Sequence, residues 1–321
     1  MGSDSSPYTL FESILRIIDS PNPSPFFEVY ASNEVIRNVI STYSNSILEK
    51  ISFCLASNEA SSCDESLYEL IKNSDTSMSR GLQALKEGNI DAFVTAGETR
   101  ALMVTSKIHL SMISSIKRPA LLATFPSFSR GFAVLDVGAN LSYKAEYLVQ
   151  YAAMGVIHQK IIKGVSSPIV ALLNVGSESS KGSIEQRKVF DALKKMSNKG
   201  LFTFIGNVEG SDVFKKKIDV LVTDGFTGNV LLKTAEGTAD YIFDQVDRLS
   251  LIEEDKKCIH DYKKKFQEAN DYGAVLIGVQ GVVVKCHGNA TIDSFYCGIL
   301  DAIELVEKKF LHSLFSVEEM L

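Results

Sequence analysis

Short apolar runs alternate with helix-length segments along most of the chain. From Thr76 onward the apolar runs are separated by stretches in which apolar positions recur at helical spacing. The predicted strands of this region are Asp91–Thr95, Ala120–Thr124, Phe132–Leu135, Ile169–Leu173, Phe202–Ile205, Val220–Val222, Val275–Ile277 and Val282–Lys285. The predicted helices are Met78–Glu87, one from about Glu98, Lys144–Ile162, Ile184–Met196 and one from about Thr291 to Phe310. This alternation predicts an α/β fold with a doubly wound, mostly parallel sheet and helices on both faces.

The first 75 residues carry a weaker pattern and are rich in Ser and Asn. Two short strands are predicted at Phe27–Tyr30 and Ile51–Leu55, with a helical pattern from Asn33 to Leu48 between them. We expect a single α/β domain over residues 1–321. Within it, residues 238–266 have the pattern of two charge-rich helices that project as an insertion.

Composition and charge exclude several classes of protein. The net charge of −6 over 321 residues argues against a nucleic-acid binder, whose phosphate contacts need a basic face. The five cysteines form no CxxC pair, which favours reduced thiols in the cytosol over disulfides or a metal site. No apolar run approaches the roughly 18 residues that a membrane span needs. The N-terminus also lacks the pattern of a signal peptide. We therefore expect a cytoplasmic protein, with a peripheral role at the membrane left open.

Gly-bearing polar turns follow the predicted strands. They read TAGETR (95–100), DVGAN (136–140), NVGSESSKG (174–182), GNVEG (206–210), DGFTGN (224–229) and HGN (287–289). The carboxyl ends of strands in a doubly wound sheet form the ligand-binding edge. Six such turns on one edge predict a site for an anionic ligand.

One stretch organises this prediction, DVLVTDGFTGNVLLKTAEG at residues 219–237. It reads as a strand at Val220–Val222, a turn that holds Gly228 and Asn229, and a helix that opens at Val230. The unpaired N–H groups of a helix start attract anions, and Lys233 adds a positive charge one turn later. An ordinary strand-to-helix connection with a solvent-facing lysine is the alternative.

Three common motifs are absent or incomplete. The run from Gly176 to Gly182 resembles a P-loop, but that motif needs Gly before Lys and the order here is reversed. No GxGxxG follows a strand and no GxSxG occurs, so neither a dinucleotide nor a serine nucleophile is indicated. We expect no cofactor and no metal.

Taken together, these turns resemble those of the PlsX family, the phosphate acyltransferases of bacterial phospholipid synthesis. The shared motifs are SDTSM (74–78), EGNIDAFVTAG (87–97), RPAL (118–121), LDVGAN (135–140), LLNVGSESSKG (172–182), FIGNVEGSDVF (204–214), residues 219–237 and YGAVLIGVQGVVVKCHG (272–288). The resemblance implies transfer of a fatty acyl group from acyl carrier protein to inorganic phosphate. It also implies a fold like that of phosphate acetyltransferases, a homodimer, a location against the membrane, and a membrane glycerol-3-phosphate acyltransferase that uses the acyl phosphate.

The residues suit this chemistry, because phosphate must be held beside a thioester carbonyl while charge develops on the carbonyl oxygen. The predicted catalytic residues are Lys181, Asn229, Lys233 and His287, and the predicted substrate-binding residues are Asp136, Gly138, Asn140, Asn174, Gly225 and Gly228. The lysines are assigned to charge, Asn140 and Asn229 to orientation, and His287 to proton handling. In the alternative reading Asp136 and Asn140 cap a helix, and His287 is a hydrogen-bonded turn residue.

The chain departs from the family pattern at three places, and the first is the high charge of residues 238–266. Glu98 and Arg100 occupy positions where the family usually has Asn and Gly. A carboxylate near a phosphate site repels the phosphate, unless Arg100 pairs with that carboxylate or turns inward. The family also has a first strand ahead of the segment that matches residues 1–7, so we expect about ten further residues before Met1.

Two other functions therefore stay open. One is a short-chain acyl-CoA:phosphate acyltransferase, and the other is a catalytically impaired family member that acts as a scaffold at the membrane.

Overall fold

The computed structural model describes residues 2–20, 25–57, 75–126, 131–248, 257, 259, 262–263 and 273–321. The chain divides into two compact units, which we call unit 1 (residues 1–113 and 271–311) and unit 2 (residues 114–270 and 312–321).

The strands in chain order are β1 (Phe27–Ala31), β2 (Ile51–Leu55), β3 (Ala92–Thr95), β4 (Ala120–Phe125), β5 (Phe132–Leu135), β6 (Ile169–Leu173), β7 (Thr203–Val208), β8 (Val220–Val222), β9 (Ala274–Ile277) and β10 (Val282–Lys285). The helices are α1 (Pro7–Ile18), α2 (Asn33–Thr42), α3 (Asn45–Leu48), α4 (Ser77–Glu87), α5 (Thr99–His109), α6 (Ala145–Ile161), α7 (Ile184–Asn198), α8 (Gly225–Asp247), α9 (Ile292–Glu307), α10 (Phe310–Leu314) and α11 (Val317–Met320). None of the helices within the described ranges is long and apolar enough to cross a membrane.

Unit 1 contains two groups of strands. β1 and β2 pair in parallel, whereas β3, β10 and β9 pair in that order, with β10 parallel to β3 and antiparallel to β9. α1 packs against α9, and the Ser13 hydroxyl donates to the Ile292 carbonyl at 2.9 Å. α4 packs against both β1 and β3.

In the described part of unit 2 the strands pair in the order β4-β5-β8-β6-β7. β4 is antiparallel to β5, and the other neighbours are parallel. Residues 150–159 of α6 are all buried, and the helix packs against β5, β8 and α7, which accounts for the absence of a polar face in this part of its sequence. Because β5, β8, β6 and β7 run in the same direction, their carboxyl ends lie side by side.

The α/β fold and the mostly parallel strands confirm the prediction from the sequence. The prediction of one continuous helical segment from Asn33 to Leu48 was wrong. The segment is broken at Tyr43, where the backbone becomes extended before Ser44 precedes a second short helix. Most of the predicted pair of helices at 238–266 lies outside the described residues, and residues 238–247 continue α8.

Candidate functional site

The candidate site of unit 2 lies where its parallel strands end. Leu135 at the end of β5 and Leu172 near the end of β6 both pair with Val222, the last residue of β8. The loop at residues 136–140, the loop at 174–182 and the start of α8 follow these three strands. We call this region the carboxyl edge of unit 2.

Asp136 shapes the first loop. Its buried carboxylate accepts hydrogen bonds from the N–H groups of Leu121, Gly138, Ala139 and Asn140, at 2.8–3.1 Å, and from the Asn140 side-chain amide at 2.9 Å. Burial raises the pKa of Asp136, and these hydrogen bonds oppose that rise. Its oxygens therefore hold the loop closed around the carboxylate.

Asn140 links the loop to the core of unit 2. Besides Asp136, its amide nitrogen lies within hydrogen-bond distance of the Pro119 carbonyl at 2.7 Å and the Tyr151 hydroxyl at 3.0 Å. Burial, followed by the charge of Asp136, raises the pKa of Tyr151, so this phenol stays neutral. Tyr151 lies in the middle of α6, and no local sequence pattern could have identified it as part of this network.

α8 begins earlier than the sequence predicted. Asp224 is its N-cap, with one carboxylate oxygen accepting from the Thr227 N–H at 3.0 Å and the other from the Thr227 hydroxyl at 2.7 Å. Gly228 and Asn229 therefore lie in the first turns of the helix, and their prediction as a turn before it was wrong. Lys233 is the ninth residue of the helix, so it lies in the third turn and not one turn after the start as predicted. The cap was visible in the sequence as Asp224 three residues before Thr227.

Close packing explains the two glycines of this helix start. A Cβ on Gly228 would lie 1.9 Å from the Asp136 carbonyl oxygen, and one on Gly225 would lie 2.4 Å from the Asn140 carbonyl oxygen. The helix start therefore packs directly on loop 136–140. Asn229 lies beside Gly138, whose φ is +129° and whose Cβ would be 3.5 Å from the Asn229 Oδ1. Six predicted site residues are thus brought together: Asp136, Gly138, Asn140, Gly225, Gly228 and Asn229.

The side chains of two asparagines stabilise the loop at 174–182 through hydrogen bonds. The buried Asn174 donates from its side chain to the Lys181 carbonyl at 3.2 Å and accepts from the Val175 N–H at 2.8 Å. Asn207, at the end of β7, donates to the Glu178 carbonyl at 2.8 Å. Sequence reasoning included the turn that contains Asn207 but did not choose this residue.

The two predicted site lysines differ in their surroundings. Both are exposed, and the Lys233 ammonium lies 2.8 Å from the Glu236 carboxylate. Among the described residues no carboxylate lies within 4.0 Å of the Lys181 ammonium. Its aliphatic stem lies close to Gly176, where a Cβ would be 2.9 Å from the Lys181 Cγ. The Glu178 carboxylate lies beside the same glycine, where that Cβ would be 2.9 Å from the Glu178 Oε2, so Lys181 has a carboxylate nearby but no ion pair among the described residues.

The remaining predicted residue, His287, belongs to unit 1 and is half-buried after β10. Its loop is fixed by the N-terminal segment, since the N–H groups of Asp4 and Ser5 both donate to the Gly288 carbonyl. Glu98 is the N-cap of α5 and accepts from the Ala101 N–H at 2.7 Å. Within the described ranges the Glu98 carboxylate makes no ion pair with Arg100. It accepts the N–H of the helix start instead.

A helix start, a closed loop and a lysine follow adjacent parallel strands, which is the arrangement in which α/β proteins commonly bind anionic ligands. Comparisons with known proteins make the class more specific. A family model described as "Fatty acid synthesis protein" matches residues 1–313. The chain is 34% identical to the phosphate acyltransferase of Chlamydia felis, over 98% of this chain and 96% of that protein. It is 36% identical to the phosphate acyltransferase of Halothermothrix orenii, over 96% and 93%.

A solved phosphotransacetylase from Streptococcus pyogenes shares the fold, with a TM-score of 0.57 and 13% identity over 95% of this chain and 99% of that one. The chain belongs to the fatty acid synthesis protein family, and it is an enzyme of the acyltransferase class. The resemblance noted in the sequence is confirmed.

Proposed function

We propose that the protein transfers a fatty acyl group from acyl carrier protein to inorganic phosphate and releases acyl phosphate. The supporting observation is the carboxyl edge of unit 2, where Lys181, the start of α8 and loop 136–140 follow adjacent strands. Relatives that match nearly the whole chain are named phosphate acyltransferases, which supports phosphate as the acceptor.

The proposed reaction needs no covalent enzyme intermediate. A phosphate oxygen attacks the thioester carbonyl carbon, the new C–O bond forms, and the C–S bond breaks. The proton of hydrogen phosphate passes to the departing thiolate, so the products are acyl phosphate and the free thiol of the carrier. Enzymes gain most in such a step by holding both reactants together and by stabilising the carbonyl oxygen as it becomes negative.

Each predicted residue has a part in this proposal. Lys181 and Lys233 attract the phosphate dianion, with Lys181 the stronger because Lys233 also faces Glu236. Backbone N–H groups at the start of α8 and the Asn229 amide orient the phosphate. Asp136 acts through the loop that it closes, and His287 is the candidate for moving the proton.

The wider setting is also a proposal. We infer that a homodimer works in the cytoplasm at the surface of the membrane. There a glycerol-3-phosphate acyltransferase consumes the acyl phosphate on the route to phosphatidic acid.

The test is to incubate the purified protein with phosphate and an acyl donor, and to trap acyl phosphate with hydroxylamine as the hydroxamate. Palmitoyl-acyl carrier protein, palmitoyl-CoA and acetyl-CoA are compared as donors. The proposal predicts phosphate-dependent hydroxamate with the carrier-bound donor. Product with acetyl-CoA alone would identify a short-chain enzyme, and no product with any donor would favour the scaffold.

A further inference from the structure

We propose that the exposed face of α7 is the surface on which the acidic acyl carrier protein docks. This inference rests on the proposed function and adds the partner's binding surface to it. We call this surface the basic stripe, and it consists of Arg187, Lys188, Lys194, Lys195 and Lys199.

The charge of the stripe is opposite to that of the whole protein. From Ile184 to Lys199 there are five basic side chains and only two acidic ones, Glu185 and Asp191, in a chain whose net charge is −6. A local field of this sign attracts an acidic partner and orients it during encounter. The stripe is thus a distinct positive surface on an acidic protein.

Most of these charges are not neutralised within the protein. Lys188 pairs with Glu185 at 2.6 Å, and Arg187 donates to the carbonyls of Ser180 and Gly182 at 3.2 and 3.4 Å, which leaves its charge uncompensated. In the part of the chain that the structure describes, no carboxylate lies within 4.0 Å of Lys194, Lys195 or Lys199. These three ammonium groups are available to a partner's carboxylates.

The stripe sits on a firmly packed helix. Val189, Leu193 and Met196 on the opposite face of α7 are buried against the rest of unit 2. The helix start is fixed by a capping box in which Ser183 and Gln186 bond each other's backbone N–H groups. The stripe is therefore presented in one orientation, which lowers the entropic cost of docking.

The stripe also begins at the candidate site. α7 starts directly after loop 174–182, and Arg187 bonds two carbonyls of that loop. At a rise of about 1.5 Å per residue, Lys194 and Lys195 lie roughly 15 Å along the helix from its start. A carrier protein holds its thioester at the end of a long flexible arm, so a docking surface beside the site, and not at it, suits that donor.

An acidic protein fits the stripe better than a membrane does. At the start of α7 the apolar side chain of Ile184 is 65% exposed, but between Arg187 and Lys199 no large apolar side chain is exposed and Asp191 interrupts the positive charge. A folded partner can place its separate carboxylates opposite the basic side chains and away from Asp191. A uniform anionic surface also faces Asp191, which repels it.

The test compares two double charge reversals in unit 2. K194E/K195E changes the stripe. K215E/K217E is the matched control, because both of its lysines are exposed and have no carboxylate within 4.0 Å in the described ranges. Binding of fluorescently labelled apo-acyl carrier protein is measured by anisotropy at low and high salt, and the Michaelis constants for palmitoyl-acyl carrier protein and palmitoyl-CoA are measured in parallel.

The proposal predicts that K194E/K195E weakens carrier binding at low salt by at least tenfold, while K215E/K217E changes it less than threefold. The Michaelis constant for palmitoyl-CoA should stay unchanged in both variants. Equal carrier binding by the wild type and both variants would overturn the docking surface, and so would equal loss in both variants. Sedimentation of the same variants with anionic vesicles is a third arm, and loss of vesicle binding with unchanged carrier binding would assign the stripe to the membrane and overturn the proposal. Because binding is read without turnover, absence of acyl phosphate would refute the proposed function separately.

Discussion

At the scale of single residues, the side chain of Asp136 contributes most to the structure of the candidate site. Five donors from residues 121–140 converge on its two oxygens. If Asp136 were an asparagine, an amide NH2 group, which donates, would replace one of the two carboxylate oxygens, which accept. Donors would then face donors. Buried donors left without an acceptor cost about 1–3 kcal/mol each.

We therefore predict that D136N lowers the free energy of unfolding by about 3 kcal/mol or more, measured by urea denaturation. D212N is the matched control, because Asp212 is partly exposed and pairs with Lys216 on the surface. Similar urea midpoints for the two variants would show that Asp136 does not hold the loop.

The same residues show what the sequence could and could not reveal. Gly225, Gly228 and Asn229 were recognisable as site residues because they follow a buried strand. The reason why glycine is needed at positions 225 and 228 was not recognisable, because it is the close contact with loop 136–140, which is distant in the sequence. Local pattern identifies a strand end, but only the strand order determines which loops meet there.

At the scale of elements, α8 is unusual because Gly225 and Gly228 are its buried residues within the described chain, and most of its length faces outward. Tyr241 and Ile242 are 65% and 51% exposed. Exposed apolar side chains in a row favour contact with another protein surface or a lipid surface. We therefore propose that this exposed part of α8 contributes to the homodimer, although contact with the membrane is the alternative role for the segment 238–266 that the sequence leaves open.

We predict that Y241E/I242E shifts the protein from dimer to monomer in light scattering. The control I40E/I108E places charges on two exposed apolar positions of unit 1 and should remain dimeric. A wild-type monomer, or an unchanged mass for Y241E/I242E, would contradict the proposed interface.

A second element-level prediction concerns α5, which ends at His109. The His109 Nε2 lies 2.7 Å from the Ser79 hydroxyl of α4, and burial, together with Lys86, lowers the His109 pKa. The folded state then binds fewer protons than the unfolded state, so stability rises with pH and is lost as pH falls below about 6.5.

Replacing His109 by Gln should therefore flatten the decline in unfolding free energy between pH 7 and pH 5. The exposed His312 provides the control, and H312Q should keep the wild-type slope. Identical slopes for the wild type and H109Q would show that His109 does not contribute to acid sensitivity.

Elements differed in how well the sequence predicted them. β5, β6 and β8 were predicted to the residue, because each is a short, fully apolar run followed by polar residues. α1 was missed although its start is marked by Ser6 and Pro7 and its apolar positions recur at helical spacing. The surrounding Ser- and Pro-rich composition outweighed that pattern.

At the scale of the whole molecule, unit 1 contains a cavity of about 760 Å³. It is lined by consecutive residues, 25–31 along β1 and 89–97 along β3. Side chains of a strand alternate between its faces, so a lining by consecutive residues means that the strand edges face the cavity. Unpaired edges of this kind accept an additional strand.

The central claim is that the carboxyl edge of unit 2 binds the phosphate that accepts the acyl group. Transfer of radiolabelled phosphate into acyl phosphate, followed against phosphate concentration, tests it directly. Because a charge-assisted hydrogen bond is worth about 1.5–3 kcal/mol, K181A and K233A should each raise the Michaelis constant for phosphate or lower turnover by about tenfold or more. The effect of K181A should be the larger, and K215A should match the wild type. Wild-type kinetics at limiting phosphate in both site variants would contradict the account.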